Sequence, residues 1–260
     1  MAHRRVLITR PKEQAAVWVQ ALRARGLDAQ ALPLIDIAPV EDAAPLREAW
    51  GTLADQQLVM FVSSNAVAQF FAVRAALQHW PAGTLAGSTG PGTTGALRAA
   101  GVPEAAIVEP APGATLDSES LWMRLRHRDW KGKGALIVRG EEGRDWLADT
   151  LRSAGAQVSF LAAYRRMPPR MDLEGRAVLA QALAHADRHC WVFSSSQAIQ
   201  HLRALAQEWA AYRGLGGTAL VPHPRIAQAA SEAGFDDVQV VEPGLGPLEA
   251  AVIALESRVA

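Results

Sequence analysis

One pattern occurs twice in the chain and constrains its fold more than any other feature. Residues 59–67 read VMFVSSNAV, and residues 191–199 read WVFSSSQAI. In each copy an apolar run too short for a helix precedes hydroxyl and amide residues that favour a helix start. Each copy therefore predicts a buried strand followed at once by a helix, the first helix running from about Ser64 to His79. Such turns leave backbone N–H groups without helical partners, which makes them candidate anion sites.

Other segments repeat with nearly the same spacing. Leu7 matches Leu136 at an offset of 129 (136 − 7), Ser63 matches Ser195 at 132 (195 − 63), and Pro91 matches Pro224 at 133 (224 − 91). A near-constant offset over three segments indicates a duplication, so we expect two halves with the same fold. Short strands alternate with helix-length segments throughout, which predicts an α/β fold with parallel sheets and helices on both faces.

The composition excludes several classes of protein. The 26 basic residues balance 26 acidic residues, so no global charge would attract nucleic acid or an anionic membrane. No apolar run approaches the roughly 18 residues of a membrane span, and the N-terminus lacks a secretory signal pattern. The single cysteine, Cys190, excludes an intramolecular disulfide and a cysteine-based zinc site. We expect a cytoplasmic protein with no nucleic-acid or membrane partner.

The length of 260 residues exceeds the usual size of one domain, so we expect two. The repeat alone would place the boundary near residue 130. Two extended, proline-flanked segments lie elsewhere, at residues 33–39 and about 162–169. They are suited to cross between two domains side by side.

Seven motifs, in chain order, resemble those of the uroporphyrinogen-III synthase family. They are VLITRP at 6–11, FVSSNAV at 61–67, GPGT at 90–93, DSE at 117–119, VRG at 138–140, YRR at 164–166 and FSSS at 193–196. The resemblance covers almost the whole chain. It implies two similar three-layer α/β domains with parallel sheets, joined by a two-stranded extended linker. Residues 1–36 and 168–260 would form one domain and 37–167 the other, with the active site in the interdomain cleft.

The resemblance also implies a reaction. Enzymes of this family close hydroxymethylbilane, a linear tetrapyrrole with eight carboxylates, to uroporphyrinogen III with inversion of ring D and release of water, a lyase reaction of porphyrin and heme biosynthesis. No cofactor or metal is implied, and hydroxymethylbilane synthase is a candidate partner of a monomeric enzyme. The sequence agrees in lacking a metal-ligand cluster, a nucleophile elbow, a dinucleotide fingerprint and a complete phosphate loop.

The matched motifs identify candidate site residues. Tyr164 is the candidate catalytic residue, because the family's tyrosine at this place projects into the cleft and assists departure of the substrate hydroxyl; its alternative role is to brace the linker. The candidate substrate-binding residues are Arg10, Ser63, Ser64, Gly90, Thr93, Arg139, Ser195, Ser196 and Arg225. Plain helix caps, a structural turn and solvated surface arginines are the alternative interpretations of this set.

One copy departs from the family pattern. Related sequences carry Gly-Pro-Thr-Thr or a similar turn where this chain has His223, Pro224, Arg225 and Ile226. Arg225 would then supply a carboxylate contact in place of the lost hydroxyls, while His223 is expected to cap a helix or lie on the surface. This departure leaves open a non-catalytic two-domain module that binds a small polycarboxylate or a tetrapyrrole. A weaker alternative is a regulatory relative, for which an appended DNA-binding module would be expected.

Overall fold

In a computed structural model of the chain, residues 4–141, 145–208 and 215–257 are described. The strands are β1 (Arg5–Ile8), β2 (Ala29–Ala31), β3 (Asp36–Pro39), β4 (Gln56–Phe61), β5 (Leu85–Ser88), β6 (Ile107–Val108), β7 (Gly134–Gly140), β8 (Gln157–Met167), β9 (His189–Val192), β10 (Thr218–Val221) and β11 (Asp237–Val240). The α-helices are α1 (Lys12–Arg23), α2 (Ala44–Gly51), α3 (Ser64–Ala72), α4 (Pro91–Ala99), α5 (Ser118–Leu125), α6 (Trp146–Ser153), α7 (Leu173–Ala184), α8 (Ser196–Gln207), α9 (Pro224–Glu232) and α10 (Leu245–Ser257). Short 3-10 helices occupy Leu53–Asp55, Glu104–Ala106 and Ala186–Arg188.

The chain forms two compact units. Unit 1 comprises Met1–Asp36 and Met167–Ala260, and unit 2 comprises Ile37–Arg166. The sheet of unit 1 has the order β11-β10-β9-β1-β2, and that of unit 2 has the order β3-β8-β7-β4-β5-β6. Read from the β6 end, the second order matches the first strand for strand, with β3 added. Each unit therefore combines strands from both repeats, and the repeat boundary near residue 130 is not a unit boundary.

In unit 1, alternate strand residues face opposite sides of a parallel sheet. Val6 and Ile8 of β1 belong to a buried cluster with apolar residues of α1 and α10. On the other face, the rings of Trp191 and Phe193 are stacked 6.0 Å apart and contact Phe235. Because both faces are covered, the central strands β1, β9 and β10 are buried and mostly apolar, as expected for a parallel sheet.

In unit 2, the same alternation separates two cores. Val59 and Phe61 of β4 face one cluster, whereas Leu58 and Met60 face the other. The strand registers of both units are parallel, for example Phe61 opposite Val138 in β4 and β7. The predicted α/β class with parallel sheets is thus confirmed. Residues 36–39 of the first proline-flanked segment form β3, and residues 162–167 of the second form the end of β8. The two strands are neighbours in the sheet of unit 2.

The helix that begins at Ser64 ends at Ala72, so the prediction that it continues to about His79 is wrong. The reason is the aromatic cluster that the following residues complete. The ring of Trp80 stacks on Phe71 with 6.1 Å between centroids, and its Nε1 donates to the carbonyl of Thr84 at 2.8 Å. A continuous helix would carry Trp80 away from this core. Within the three described ranges, no helix has both the length and the apolar character of a membrane span.

Candidate functional site

Helices start directly after the strands in both units, as the repeated motif predicts. Ser63 caps α3 by accepting a hydrogen bond from the Ala66 N–H (N···Oγ 3.2 Å), and Ser195 caps α8 by accepting one from the Gln197 N–H (3.2 Å). Since parallel strands end at one edge of their sheet, these caps lie at the carboxyl edge of their own sheet, where α/β proteins bind ligands. The capping role is confirmed for both serines. Ser64 is the first residue of α3.

The glycine-rich turn precedes α4 at the same edge of unit 2. Gly90 has no side chain to cap the helix, and its carbonyl accepts from the N–H groups of Thr93 and Thr94, both at 3.0 Å. Thr93 is 8% exposed. Beneath this turn, the Thr94 hydroxyl donates to Glu109 Oε2 at 2.7 Å and lies 2.6 Å from Ser88 Oγ. These bonds fix the first helical turn against the end of β5.

A β-bulge sets the direction of Tyr164. The pairing of β7 with β8 shifts between Arg139, which lies opposite Ala162, and Gly140, which lies opposite Tyr164. The extra residue in β8 places Ala163 and Tyr164 in the same core cluster, although neighbouring strand residues normally point to opposite faces. The Tyr164 ring is 1% exposed, and its hydroxyl lies 3.2 Å from Ser63 Oγ. The predicted catalytic tyrosine and one predicted binding serine are therefore in contact.

Gly140 leaves the space that the Tyr164 ring occupies. A Cβ atom at Gly140 would lie 3.1 Å from Cε2 of Tyr164 and 3.2 Å from its Cζ. Both separations are shorter than ordinary carbon contacts. A Cβ atom at position 140 would thus require the tyrosine ring to move by a few tenths of an ångström.

Arg139 is paired inside unit 2. Its Nη1 donates to Asp145 Oδ1 at 2.6 Å, and its Cζ lies 3.8 Å from the centroid of the Phe160 ring. The Arg139 side chain is 15% exposed. Its charge is therefore already balanced by a carboxylate of the protein.

Arg10 has a different environment at the carboxyl edge of unit 1. Its Cζ lies 4.1 Å from the centroid of the Trp18 ring, and its Nη1 makes a 3.4 Å hydrogen bond to Gln14 Oε1. Its Nε is buried without a hydrogen-bond partner. Burial lowers the pKa of Arg10 from its ordinary value. Among the described residues, no carboxylate forms an ion pair with Arg10.

The remaining candidates of unit 1 follow β9 and β10. Ser196 begins α8 and has a buried Oγ without a hydrogen-bond partner. His223 caps α9, because its Nδ1 accepts from the Arg225 N–H at 3.1 Å, and the expectation that it caps a helix is confirmed. The side chain of Arg225 is exposed.

The structure thus joins some predicted residues and adds others. Ser63 and Tyr164 meet in unit 2, while Arg10 lines a pocket in unit 1. Two of the added residues are Trp18, the partner of Arg10, and Gly140, the neighbour of Tyr164, and no local sequence pattern indicates either contact. Across 4–141, 145–208 and 215–257, no group of three or more His, Cys, Asp or Glu side chains is placed to hold a metal ion.

Comparison with known proteins gives one consistent family. The family model described as "Uroporphyrinogen-III synthase HemD" matches residues 16–248. A protein named uroporphyrinogen-III synthase from Salmonella typhimurium strain LT2 is 32% identical over 244 residues, which cover 91% of this chain and 94% of the relative. The protein of the same name from Escherichia coli strain K12 is 31% identical over 243 residues, with the same coverage.

Solved structures agree at the level of the fold. A mutant uroporphyrinogen III synthase from the extremely thermophilic bacterium Thermus thermophilus aligns with a TM-score of 0.55 at 20% identity, covering 97% of this chain and 99% of the other. The uroporphyrinogen-III synthetase of Helicobacter pylori 26695 aligns with a TM-score of 0.54 at 18% identity, covering 99% and 100%. At this identity the likeness concerns the fold alone.

Proposed function

Because the chain belongs to the uroporphyrinogen-III synthase family, we propose that it converts hydroxymethylbilane to uroporphyrinogen III. The reaction closes the linear tetrapyrrole, inverts ring D and releases water, so the protein acts as a lyase in tetrapyrrole biosynthesis. Loss of the terminal hydroxyl gives an azafulvene cation, and the substituted carbon of ring D attacks it to form a spiro intermediate. That intermediate fragments and recloses as the type III isomer.

The protein's main task in this reaction is to position a reactive intermediate. The bilane closes without enzyme to the uninverted type I isomer, so the chain needs no strong nucleophile. It must hold ring D so that its substituted carbon attacks, and correct placement of this kind lowers a barrier by many kcal/mol. Several fixed contacts to the substrate carboxylates meet that requirement.

The contact of Tyr164 with Ser63 is the observation that carries the proposal. Ser63 Oγ accepts the Ala66 N–H, so its own hydrogen is free to be donated to the Tyr164 hydroxyl 3.2 Å away. The phenolic hydrogen then remains for a substrate oxygen, since a tyrosine hydroxyl both donates and accepts. Donation to the terminal hydroxyl of the bilane assists its departure as water, which is general acid catalysis.

The carboxylates of the substrate bind at the carboxyl edges of the sheets. In unit 2 they meet the first turns of α3 and α4, with Ser63, Ser64, Gly90 and Thr93. In unit 1 they meet the first turns of α8 and α9, with Ser195, Ser196 and Arg225. N–H groups of a helix start favour anions. Arg10 contributes a full charge in unit 1, and Arg139 contributes a weaker one in unit 2 because Asp145 balances it.

Three further expectations from the sequence stay predictions. The chain acts as a monomer, it receives its substrate from hydroxymethylbilane synthase, and it works in the cytoplasm. The unstable linear substrate supports the second of these, because direct use after synthesis limits spontaneous closure to the type I isomer.

The proposal is tested by the isomer ratio of the product. Freshly generated hydroxymethylbilane is incubated with the full chain, the uroporphyrinogens formed are oxidised to uroporphyrins, and the isomers are separated by chromatography. We expect predominantly the type III isomer, and the type I isomer from a matched sample of heat-denatured chain. Only type I from the folded chain would contradict the proposal and favour a module that binds tetrapyrroles without converting them.

A further inference from the structure

A small pocket lies at the carboxyl edge of the unit 1 sheet. The empty space there is about 300 Å³ when the open solvent at its mouth is included, and it lies where β1, β9, β10 and β11 end. Its apolar lining includes Trp18, Val192, Phe193, Leu220 and Leu248. Its two charged lining residues are Arg10 and Glu242. An open pocket of this kind has room for one substituent of a large ligand and not for a whole tetrapyrrole.

The guanidinium of Arg10 is held in this pocket without a balancing carboxylate. Its flat face lies 4.1 Å from the Trp18 ring centroid, which fixes its orientation. Its Nε has no partner, and a buried donor without an acceptor is destabilising. Glu242 lines the same pocket but forms no ion pair with Arg10, and none is seen from any other acid in the described ranges. The arrangement becomes favourable when an external anion binds Arg10.

The corresponding arginine of unit 2 has a carboxylate partner, so the unpaired arginine is a feature of unit 1. Arg139 corresponds to Arg10 at the offset of 129 (139 − 10) and pairs with Asp145. At the same offset Asp145 corresponds to Ala16 (145 − 129), so unit 1 lacks the acid that neutralises the arginine of unit 2.

We propose that this pocket binds one carboxylate arm of the substrate, with the carboxylate on Arg10 and the methylene groups on the apolar lining. This inference rests on the proposed function for the identity of the ligand, and it assigns a subsite to an acetate or propionate group. An arginine fork matches a carboxylate bidentately. A phosphate fits less well, because it has no apolar part and its greater charge would be repelled by Glu242.

The pocket is tested directly by nuclear magnetic resonance of the ¹⁵N-labelled full chain. The Nε–H signal of Arg10 is assigned by its loss in Arg10→Lys, and propionate, its neutral analogue propionamide, and inorganic phosphate are titrated in turn. We expect a saturable shift with propionate, none with propionamide and a weaker one with phosphate. No shift with propionate, or equal shifts with propionamide or phosphate, would overturn the proposal.

A kinetic test compares matched arginine-to-glutamine substitutions at the two ends of α1. Arg10→Gln is expected to raise the KM for hydroxymethylbilane about tenfold or more, the effect of losing a hydrogen-bonded charge pair. Arg25→Gln is the control, because Arg25 pairs with Glu249 near the opposite end of α1. Equal KM values for the two variants would overturn the proposal that the pocket binds a carboxylate. The proposed function would be unaffected if the unaltered chain still formed the type III isomer. Type I from the unaltered chain would overturn the proposed function, and the titration would still decide whether the pocket binds carboxylates.

Discussion

Arg10 and Arg139 occupy corresponding positions in the two units but have opposite surroundings. Arg139 donates to Asp145 at 2.6 Å, whereas Arg10 stacks on Trp18 and lacks an acidic partner in the described residues. One copy thus has no carboxylate partner among the described residues, and the other is paired within its unit. Equivalent residues of a duplicated fold therefore need not share a role.

The hydroxyl for which we propose the catalytic role differs between the units in the opposite sense. Leu7 pairs with Gln30 in unit 1 as Leu136 pairs with Ser159 in unit 2, so the offset of 129 holds in the neighbouring strand (159 − 30). With the bulge residue of β8 counted or left out, Tyr164 corresponds to Leu34 (164 − 130) or Ile35 (164 − 129), and both are buried apolar residues. At these matched positions unit 1 therefore has the available cation but no tyrosine, and unit 2 has the tyrosine but a paired cation. We infer that unit 1 chiefly binds the substrate and unit 2 chiefly assists the reaction.

The largest effect on turnover is expected when the Tyr164 hydroxyl of unit 2 is removed. Tyr164→Phe keeps the buried ring and removes the group next to Ser63, so kcat for type III formation should fall about 100-fold or more, as for loss of a general acid. Steady-state kinetics with isomer analysis measures it, and thermal unfolding close to that of the unaltered chain checks the fold. An unchanged kcat would contradict the inference that unit 2 assists the reaction while unit 1 binds the substrate.

The next largest effect tests how Gly140 positions the Tyr164 hydroxyl in unit 2. Gly140→Ala pushes on the Tyr164 ring, so kcat should fall about tenfold, given the sensitivity of catalysis to small displacements. Gly95→Ala is the matched control, because a Cβ there meets nothing within 4 Å. In the Tyr164→Phe background, Gly140→Ala should lower kcat no further. An additional loss there would mean that Gly140 acts by another route.

The two capping serines offer a smaller and direct comparison. Ser63→Ala and Ser195→Ala should each lower the free energy of unfolding by about 1 kcal/mol, the usual loss for an N-cap. Only Ser63 also contacts Tyr164, so only Ser63→Ala should lower kcat several-fold more than the lost stability explains. Denaturant unfolding and turnover are measured on both variants. Similar kcat values would assign Ser63 to capping alone.

The smallest effect is expected at Arg225. Its side chain is exposed in the first turn of α9, and a screened surface charge contributes up to about 1 kcal/mol. Arg225→Ala should therefore raise the KM roughly two- to five-fold and leave kcat unchanged. Steady-state kinetics at low and high salt gives the comparison, and the rise should shrink as salt screens the charge. A KM equal to that of the unaltered chain would mean that Arg225 is a surface residue without a contact to the substrate.

Much of this account could be predicted from local sequence. The two strand-to-helix junctions of the repeated motif, the parallel α/β class and the caps at Ser63 and Ser195 follow from short-range patterns, and the structure confirms them. The end of α3 could not be predicted in this way, because the distant packing of Trp80 decides it.

The finer features of the site depend on contacts between strands. The bulge that aims Tyr164 arises from the register of β7 and β8, which no single segment encodes. Which arginine is neutralised depends on where the Asp145 side chain reaches. The spacing of eight residues between Arg10 and Trp18 (18 − 10) was visible, yet it gave no sign that the indole would lie under the guanidinium.

The division between binding and reaction is tested most directly by measuring kcat and KM for Arg10→Gln and Tyr164→Phe in one experiment with hydroxymethylbilane. Loss of a contact made equally in the bound and transition states raises KM, and loss of one made only in the transition state lowers kcat. We predict that Arg10→Gln raises KM with kcat within about twofold, and that Tyr164→Phe lowers kcat with KM within about twofold. Changes in the same parameter for both variants would contradict the division.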